Sequence, residues 1–350
     1  MALYNKKGKQ ELKKQLMQES FGRITLSFYR YVVIEDPAAL RDQLYQSWSR
    51  LNVLGRIYVA HEGINAQLSL PAEKTDLFRE QLYSDPRFRD TPFKIAVKDD
   101  GKSFYKLNIK VRPKIVADGL EDGSFDVTNA GKHLSAREFN EAMQEPGTVV
   151  VDMRNHYESE IGRFANAFCP DADTFKQALP IVLDSLHGKK DDKILLYCTG
   201  GIRCEKASAF LKHHGFRDVN QLHGGIISYY WQVQNEGLEN KFLGKNFVFD
   251  ARMGEPISGK IISTCHQCGN PCDTHVNCAN QECHLLFIQC GSCAEKYNGC
   301  CTPACSEVSL LPQQEQRKIR KEKKRKDSHS VYKSRLRPNL REIIKNTSHA

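Results

Sequence analysis

Hydrophobic and polar positions over the first third of the chain alternate between strand and helix periods. ITLSFYRYVVI (24–34) is rich in β-branched and aromatic residues and predicts a strand. Asp36 followed by Pro37 is typical of a helix N-terminus, so a helix is expected through Leu51. The later elements are two strands around the Glu62-Gly63 turn, a helix over about 72–84, and one or two strands within 93–112. The order β-α-β-β-α-β predicts a ferredoxin-like domain over residues 23–118.

A second pattern follows over residues 128–240. Residues 147–154 and 193–198 are near-continuous apolar runs, typical of strands buried on both faces of a parallel sheet. Ser135 and Glu138 have the spacing of a capping box before a short helix. Further elements are expected as helices at about 173–187 and 204–214 and a strand within 219–226. This alternation predicts an open parallel α/β domain, whose ligand site lies at the carboxyl ends of the strands.

The remaining segments are distinguished by composition and charge. Ten of the 13 cysteines lie in residues 265–305, inside a Cys-rich module predicted over 241–310. Residues 317–345 hold 13 Lys and Arg against three acidic residues, a local net charge of +10. The remainder of the chain therefore sums to −1, although the whole chain carries +9. With a polar N-terminal arm (1–22) and a basic tail expected to be disordered (311–350), the chain is predicted to be multidomain, combining α/β and α+β units.

The hydrophobic share of 40% excludes a fully disordered chain. The N-terminus lacks the apolar core of a signal peptide, and no apolar run approaches the ~18 residues that span a bilayer. We therefore expect a cytoplasmic protein without a membrane partner. In that compartment clustered cysteines are metal ligands or reactive thiols rather than disulfides.

The segment YCTGGIRCEKASAFL carries the strongest chemical signal. A buried strand ends at Cys198, a Gly-Gly turn follows, and a helix is expected to start near Cys204. Backbone N–H groups, the helix N-terminus and Arg203 would surround the sulfur with positive potential and lower its pKa. This order favours a nucleophilic thiolate over an inert core cysteine. The predicted catalytic residues are Cys198 and Arg203, with an anion-binding loop of Thr199, Gly200, Gly201 and Ile202.

Several accessory residues keep two interpretations. Cys204 either resolves an oxidised Cys198 or packs the helix. His61 with Glu62 is either an acid/base pair near Cys198 or a polar turn, and the turn is slightly favoured. Asp152 and Arg154 either line the pocket or form a structural ion pair. Glu158 and Glu205 share this ambiguity.

Residues 130–240 resemble a rhodanese domain. The resemblance rests on VVDMRNHYESEIGRFANA (150–167), on the six-residue loop CTGGIR (198–203) and on HGGI (223–226). Arg163 stands where rhodaneses often have histidine. Four blocks extend the resemblance over about residues 20–310 to the rhodanese-containing tRNA uridine hydroxylases: HEGINAQ (61–67), CTGGIRCEKASA (198–209), GKNFVFDARMGE (244–255) and CHQCGNPCDTHVNC (265–278).

The resemblance implies oxygen-dependent hydroxylation of the wobble uridine, position 34 of tRNA, at C5. It implies tRNA as partner, molecular oxygen as substrate and Cys198 as the essential loop cysteine. No GxGxxG signature for flavin or nicotinamide occurs in the chain. From the residues alone, Cys198 would instead suggest a sulfurtransferase that carries a persulfide, and a non-enzymatic RNA-binding adaptor is a third interpretation.

The cysteine cluster predicts a structural metal site. Two CxxC pairs separated by 21 residues are close to four-thiolate zinc spacing and point to Cys265, Cys268, Cys290 and Cys293. The alternative ligands are Cys272, Cys278, Cys283, Cys300, Cys301 and Cys305, with His266, His275 and His284 as further candidates. Ten cysteines exceed one four-ligand site, so a second ion or free thiols remain open. Zinc is favoured over an iron–sulfur cluster because no familiar cluster spacing is present.

The basic tail predicts contact with RNA phosphates. A charge run is by default a solvated segment, and phosphate binding is compatible with that. Aromatic residues are nearly absent there, so the tail could supply affinity without reading a base. The predicted RNA-binding residues are Arg317, Lys318, Arg320, Lys321, Lys323, Lys324, Arg325 and Lys326.

Overall fold

The N-terminal part of the chain forms a five-stranded mixed sheet. The computed structural model describes residues 7–121, 123–326 and 337–347. The first elements are α1 (Lys9–Met17), β1 (Arg23–Tyr31), α2 (Pro37–Arg50), β2 (Leu54–Ala60), β3 (Gly63–Pro71), α3 (Thr75–Tyr83), β4 (Lys94–Ile95) and β5 (Leu107–Val111). The strand order is β4-β1-β3-β2-β5. Neighbours are antiparallel except β5, which runs parallel to β2. The predicted β-α-β-β-α-β order is confirmed, with β5 added at one edge.

The two faces of this sheet differ because side chains alternate along each strand. Leu26 and Phe28 of β1, with Ile64 and Leu68 of β3, lie in the apolar core of this region. The helices α2 and α3 cover that face, and α2 begins at the Asp36 cap, whose carboxylate accepts two backbone N–H hydrogen bonds. The opposite face of the sheet is polar and is turned toward the central part of the chain.

A four-stranded parallel sheet forms the centre of the molecule, in the order β6-β10-β9-β7. Its buried strands place apolar side chains in cores on both faces, as the continuous apolar runs predict. The predicted capping box is confirmed at Ser135 and Glu138. The elements are β6 (Lys132–Leu134), α4 (Ala136–Ala142), β7 (Val149–Asp152), α5 (His156–Ile161), β8 (Gly162–Phe164), α6 (Phe175–Ser185), β9 (Lys193–Tyr197), α7 (Ile202–His213), β10 (Asp218–Leu222) and α8 (Gly225–Glu236).

Short elements follow the parallel sheet and form the Cys-rich region. They are β11 (Phe242–Asn246), β12 (Glu255–Pro256), β13 (His275–Asn277), β14 (Leu286–Ile288), α9 (Gly291–Lys296) and α10 (Pro303–Leu310). The strand β11 pairs with both β8 and β12, which ties this region to the central one. Cysteine side chains contribute to its two small cores, together with Phe287, Ile288 and Tyr297.

The described segments of the basic tail are helical, whereas the sequence predicts disorder there. Residues Gln313–Lys326 form α11 and Leu340–Thr347 form α12, while residues 327–336 lie outside the described part. The residues of α11 are strong helix formers without Gly or Pro, which favours a helix. In α12 the apolar side chains recur at helical spacing, and Leu340 is buried against the Cys-rich region. Within the described residues, no helix has the length and hydropathy needed to cross a membrane.

Candidate active site

Cys198 directly follows β9, at the carboxyl end of a central strand of the parallel sheet. Its side chain is fully buried, and the backbone N–H of Gly201 donates a hydrogen bond to its sulfur over 3.1 Å. Gly201 has φ +95°, a conformation that glycine adopts at little cost. The HGGI turn closes the loop from the other side, since Ile226 N–H donates to the Cys198 carbonyl oxygen at 3.0 Å. A Cβ on Gly225 would lie only 2.5 Å from that oxygen.

The surroundings of Cys198 favour its thiolate. Burial alone raises the pKa of the Cys198 thiol, because a charge is poorly solvated there. A hydrogen bond from the Cys204 thiol, the charge of Arg203 and the backbone N–H groups of Arg203 and Cys204 outweigh burial and lower the pKa to about 6. Burial and the neighbouring thiolate raise the pKa of Cys204 well above its ordinary value. The pair is therefore one thiolate stabilised by one thiol.

Arg203 is held by Glu158 rather than directed at the sulfur. Its guanidinium forms two hydrogen bonds with the Glu158 carboxylate, at 2.6 and 2.9 Å, and both side chains are buried. Glu158 belongs to α5, so this ion pair connects α5 to the start of α7. Arg203 thus acts on Cys198 through its charge and its backbone N–H.

A cavity of about 190 Å³ lies above Cys198, between the first sheet and the loop. On the loop side the wall is formed by Thr199, Gly200, Ile202 and Arg203, while Gly201 of the predicted anion-binding loop is absent from the wall and contacts the sulfur through its N–H. A second cavity of about 350 Å³ shares Arg203 and several other wall residues with the first. Together the two volumes fall within the ~300–1,000 Å³ typical of ligand sites. Eight wall residues were not singled out from the sequence: Ser27, Phe28, Tyr29, Asn65, Gln67, Val116, Ile227 and Phe249.

Hydrogen bonds and ion pairs hold the first sheet over the loop. Tyr29 of β1 donates to the carboxylate of Glu205 in α7 at 2.9 Å, so this contact connects the first sheet to the helix after the loop. The Lys206 ammonium is buried and contacts Glu62 at 2.7 Å and Asp118 at 2.5 Å. Glu62 is therefore part of an ion-pair network, and His61 is exposed on the turn and is absent from the cavity wall.

Asp152 and Arg154 form a structural ion pair. Both side chains are fully buried, and the guanidinium contacts the carboxylate at 2.6 Å. Arg154 also donates to the Gly162 carbonyl oxygen, and Tyr197 donates to Asp152 at 2.8 Å. Neither residue lines the cavity above Cys198. Of the two interpretations open in the sequence, the structure favours the ion pair.

Eight cysteines form two groups that could each hold a metal ion. The first contains Cys265, Cys268, Cys290 and Cys293, the set predicted from the CxxC spacing. The second contains Cys278, Cys283, Cys301 and Cys305, which sequence spacing offered only as alternatives. Within each group all the sulfurs lie within 4.8 Å of one another.

The sulfur positions fit a tetrahedral ion. Zn–S bonds of 2.3 Å place neighbouring sulfurs about 3.8 Å apart. The sulfurs of Cys268 and Cys290 are 3.6 Å apart, and those of Cys301 and Cys305 are 3.7 Å apart. Two candidates from the sequence, Cys272 and Cys300, belong to neither group, and the same holds for His266, His275 and His284. His266 instead pairs with Glu160 at 2.7 Å.

The described part of the basic tail lies against the Cys-rich region. In α11, Arg317, Lys318 and Lys321 are exposed, while Arg320 hydrogen-bonds Gln281 at 3.0 Å. Arg341 of α12 donates to the Cys265 carbonyl oxygen at 3.1 Å. Arg320 is thus partly committed to the protein. Four predicted RNA-binding side chains lie outside the described ones: Lys323, Lys324, Arg325 and Lys326.

Three family models match consecutive parts of the chain. The model described as UPF0176 acylphosphatase like domain matches residues 23–115, and the Rhodanese-like domain matches 135–230. The Rhodanase C-terminal model matches 243–306. Among solved structures, the Rhodanese-like domain of the Alr3790 protein from Anabaena sp. covers 32% of this chain and 78% of its own, with 18% identity. Its TM-score of 0.26 is too low to support a conclusion.

Curated relatives match almost the whole chain. A tRNA uridine(34) hydroxylase from Leptospira interrogans serogroup Icterohaemorrhagiae serovar Lai is 60% identical over 341 residues, covering 97% of this chain and 93% of its own. One from Escherichia fergusonii is 51% identical and covers 98% of both chains. One from Enterobacter sp. is 53% identical and covers 91% of both. The chain belongs to the tRNA uridine(34) hydroxylase family.

Proposed function

We propose that this protein hydroxylates uridine 34 of tRNA at C5 in an oxygen-dependent reaction, with the Cys198 thiolate as the essential group. The hydroxylase activity follows from the family, since the relatives match over 97% and 98% of this chain. The position on the base and the use of molecular oxygen rest on the resemblance of the sequence blocks. The role of Cys198 rests on the geometry of its loop.

The single observation that carries the role of Cys198 is its position: a fully buried sulfur that accepts the Gly201 N–H at the floor of a cavity. A thiol with a pKa of about 6 is mostly ionised at neutral pH. The Gly201 N–H and the charge of Arg203 stabilise an anion at this position. They would equally stabilise an anionic intermediate on the sulfur. The ion pair with Glu158 fixes the position of the Arg203 guanidinium.

The depth of Cys198 sets a requirement on the RNA. A base inside a stacked helix cannot enter a cavity between two packed sheets, whereas a loop base such as that of position 34 can be splayed out. The exposed basic side chains of α11 would hold nearby phosphates. A tRNA substrate also agrees with the expected cytoplasmic location.

We propose that each of the segments predicted from the sequence has a separate role. Residues 23–118 cover the base, 128–240 supply the thiolate, 241–310 form a metal-bound module, and 311–350 contact RNA backbone. The two four-cysteine groups would hold Zn²⁺, which in all-thiolate sites supplies folding free energy. A closed site of four thiolates leaves no position for substrate, so the role of the metal is structural.

The proposal is tested by mass spectrometry of tRNA nucleosides. A strain lacking the gene is complemented with wild type, Cys198→Ala or Cys198→Ser, and grown with and without oxygen. We expect 5-hydroxyuridine at position 34 only with wild type and oxygen. Cys169→Ala is the matched control, because Cys169 is outside the cavity. Full modification by Cys198→Ala would contradict the essential role, and loss of a sulfur-containing nucleoside instead would indicate a sulfurtransferase.

A further inference from the structure

The polar face of the first sheet carries an ordered set of side chains above Cys198. In the register of β1 and β3, Ser27 lies opposite Gln67 and Tyr29 lies opposite Asn65. All four line the cavity, while the β3 neighbours Ala66 and Leu68 belong to the core on the other face. The loop with Cys198 forms the facing wall. A ligand in this cavity would therefore be held between amide side chains and the thiolate.

The two amides differ in what they can offer to a ligand. Asn65 Nδ2 donates a hydrogen bond to the Ile115 carbonyl oxygen at 3.2 Å. That bond sets the orientation of the amide and leaves Oδ1 as the acceptor without a partner among the described residues. The Gln67 side chain has no hydrogen-bond partner among them, so its Nε2 is a donor available to the cavity that it lines. Tyr29 is already engaged with Glu205.

We propose that Asn65 and Gln67 recognise the uracil ring through its imide edge, a step that deepens the proposed function and rests on it. Asn65 Oδ1 accepts a hydrogen bond from N3–H, and Gln67 Nε2 donates to an adjacent ring carbonyl. Both side chains come from one strand, two residues apart, so they project from the same face at about 7 Å spacing. The aromatic ring of Phe249 lines both cavities and offers a surface for stacking.

This arrangement would orient the base for reaction and select it. In a uracil ring the C5–C6 bond lies opposite the C2–N3 bond, so contact of N3–H with the sheet turns C6, with C5 beside it, toward the other wall. That wall carries Cys198. Cytosine has an unprotonated N3, which would place an acceptor against Asn65 Oδ1 and leave both acceptors without a donor. The cavity would therefore prefer uracil over cytosine.

The test compares binding of two anticodon stem-loop RNAs that differ only in uridine or cytidine at position 34. The full-length protein is used, and binding is followed by fluorescence anisotropy at fixed salt. We expect wild type to prefer uridine by about tenfold or more, as a good bidentate base contact provides. Asn65→Ala should abolish the preference, because it removes the acceptor for N3–H. Gln67→Glu should weaken uridine binding, because it replaces the donor by an acceptor.

Asn108→Ala is the matched control. Asn108 lies on β5, opposite Arg56 in register, and does not line either cavity. It should bind both RNAs as wild type does, and thermal melting should show that all variants fold. An unchanged preference in Asn65→Ala, or equal binding of both RNAs by wild type, would overturn the assignment of the imide edge. Failure of the proposed function would appear separately, as a lack of 5-hydroxyuridine in cells that express wild type.

Discussion

The chemistry of Cys198 is set by its immediate neighbours. An isolated buried thiol would have a raised pKa, since burial disfavours the charged form. Here the Cys204 thiol, the Arg203 charge and two backbone N–H groups reverse that effect. Among these the Cys204 hydrogen bond has the largest lowering effect, so the second cysteine is a partner of the thiolate whether or not it also takes part in redox chemistry.

Replacement of Cys204 by Ala should therefore raise the pKa of Cys198 above its value of about 6. The thiolate fraction rises with pH through the pKa, so the variant should need a higher pH for half-maximal alkylation. The measurement is the rate of Cys198 modification by iodoacetamide at a series of pH values, read from the mass of the Cys198 peptide.

Cys169→Ala serves as the control, because burial raises the pKa of Cys169 to about 11 and it lies apart from the loop. Its Cys198 profile should match that of wild type. An unchanged midpoint in Cys204→Ala would show that the loop N–H groups and Arg203 suffice to stabilise the thiolate.

Short elements in the Cys-rich region depend on cysteine pairs for their positions. Strands β13 and β14 have three residues each, too few for an independent hairpin. Each four-cysteine group joins segments that are distant in sequence, such as Cys265 with Cys290 and Cys278 with Cys301. Backbone N–H groups of Cys290 and Cys301 donate to the sulfurs of Cys265 and Cys278, at 3.5 and 3.4 Å.

We expect two Zn²⁺ ions per chain in the purified protein, measured by elemental analysis. Cys265→Ser and Cys278→Ser should each lose about one ion and lower the melting temperature, because a three-thiolate site binds zinc less tightly. Cys272→Ser should keep both ions, since Cys272 belongs to neither group. One ion in wild type would restrict the metal to a single group.

At the scale of the whole molecule, charge and chemistry are separated. The net charge of +9 comes from a basic segment with +10, while the remainder sums to −1. Leu340 of α12 packs against the Cys-rich region, and Arg337, which precedes α12, pairs with Asp173 of the central region at 2.8 Å. The described basic helix α11 contacts the folded body through the hydrogen bond of Arg320 with Gln281, whereas charge alone suggests a disordered segment.

Replacing Arg317, Lys318 and Lys321 by Gln tests this helix without unfolding the tail. If all three side chains contact phosphates, the plot of log K against log salt should become shallower. The magnitude of its negative slope should decrease by about 2–3, since each contact contributes about 0.7–0.9. The measurement is tRNA binding at several salt concentrations. The Cys198 alkylation rate should not change, which serves as the control. An unchanged slope would show that these side chains are solvated and do not bind RNA.

Features predicted from the sequence are confirmed where a single local interaction determines them. The Asp36 cap, the Ser135–Glu138 capping box and the apolar strand that ends at Cys198 are confirmed because their causes lie within a few residues. The partner of Arg203 was not predictable, since Glu158 lies 45 residues away. The second four-cysteine group could not be assigned from the sequence either, because its cysteines do not form two CxxC motifs.

The sequence by itself determined the order of elements, the loop that presents Cys198 and the family. These depend on periodicity, turn residues and motifs that act over short distances. Tertiary structure alone decided that the polar face of the first sheet covers Cys198, with Lys206 buried between Glu62 and Asp118. The alternation of Asn65 and Gln67 with Ile64 and Ala66 marks a polar face in the sequence, but not what it faces. Only packing between distant segments brings amides, thiolate and cavity together, and no local preference encodes that contact.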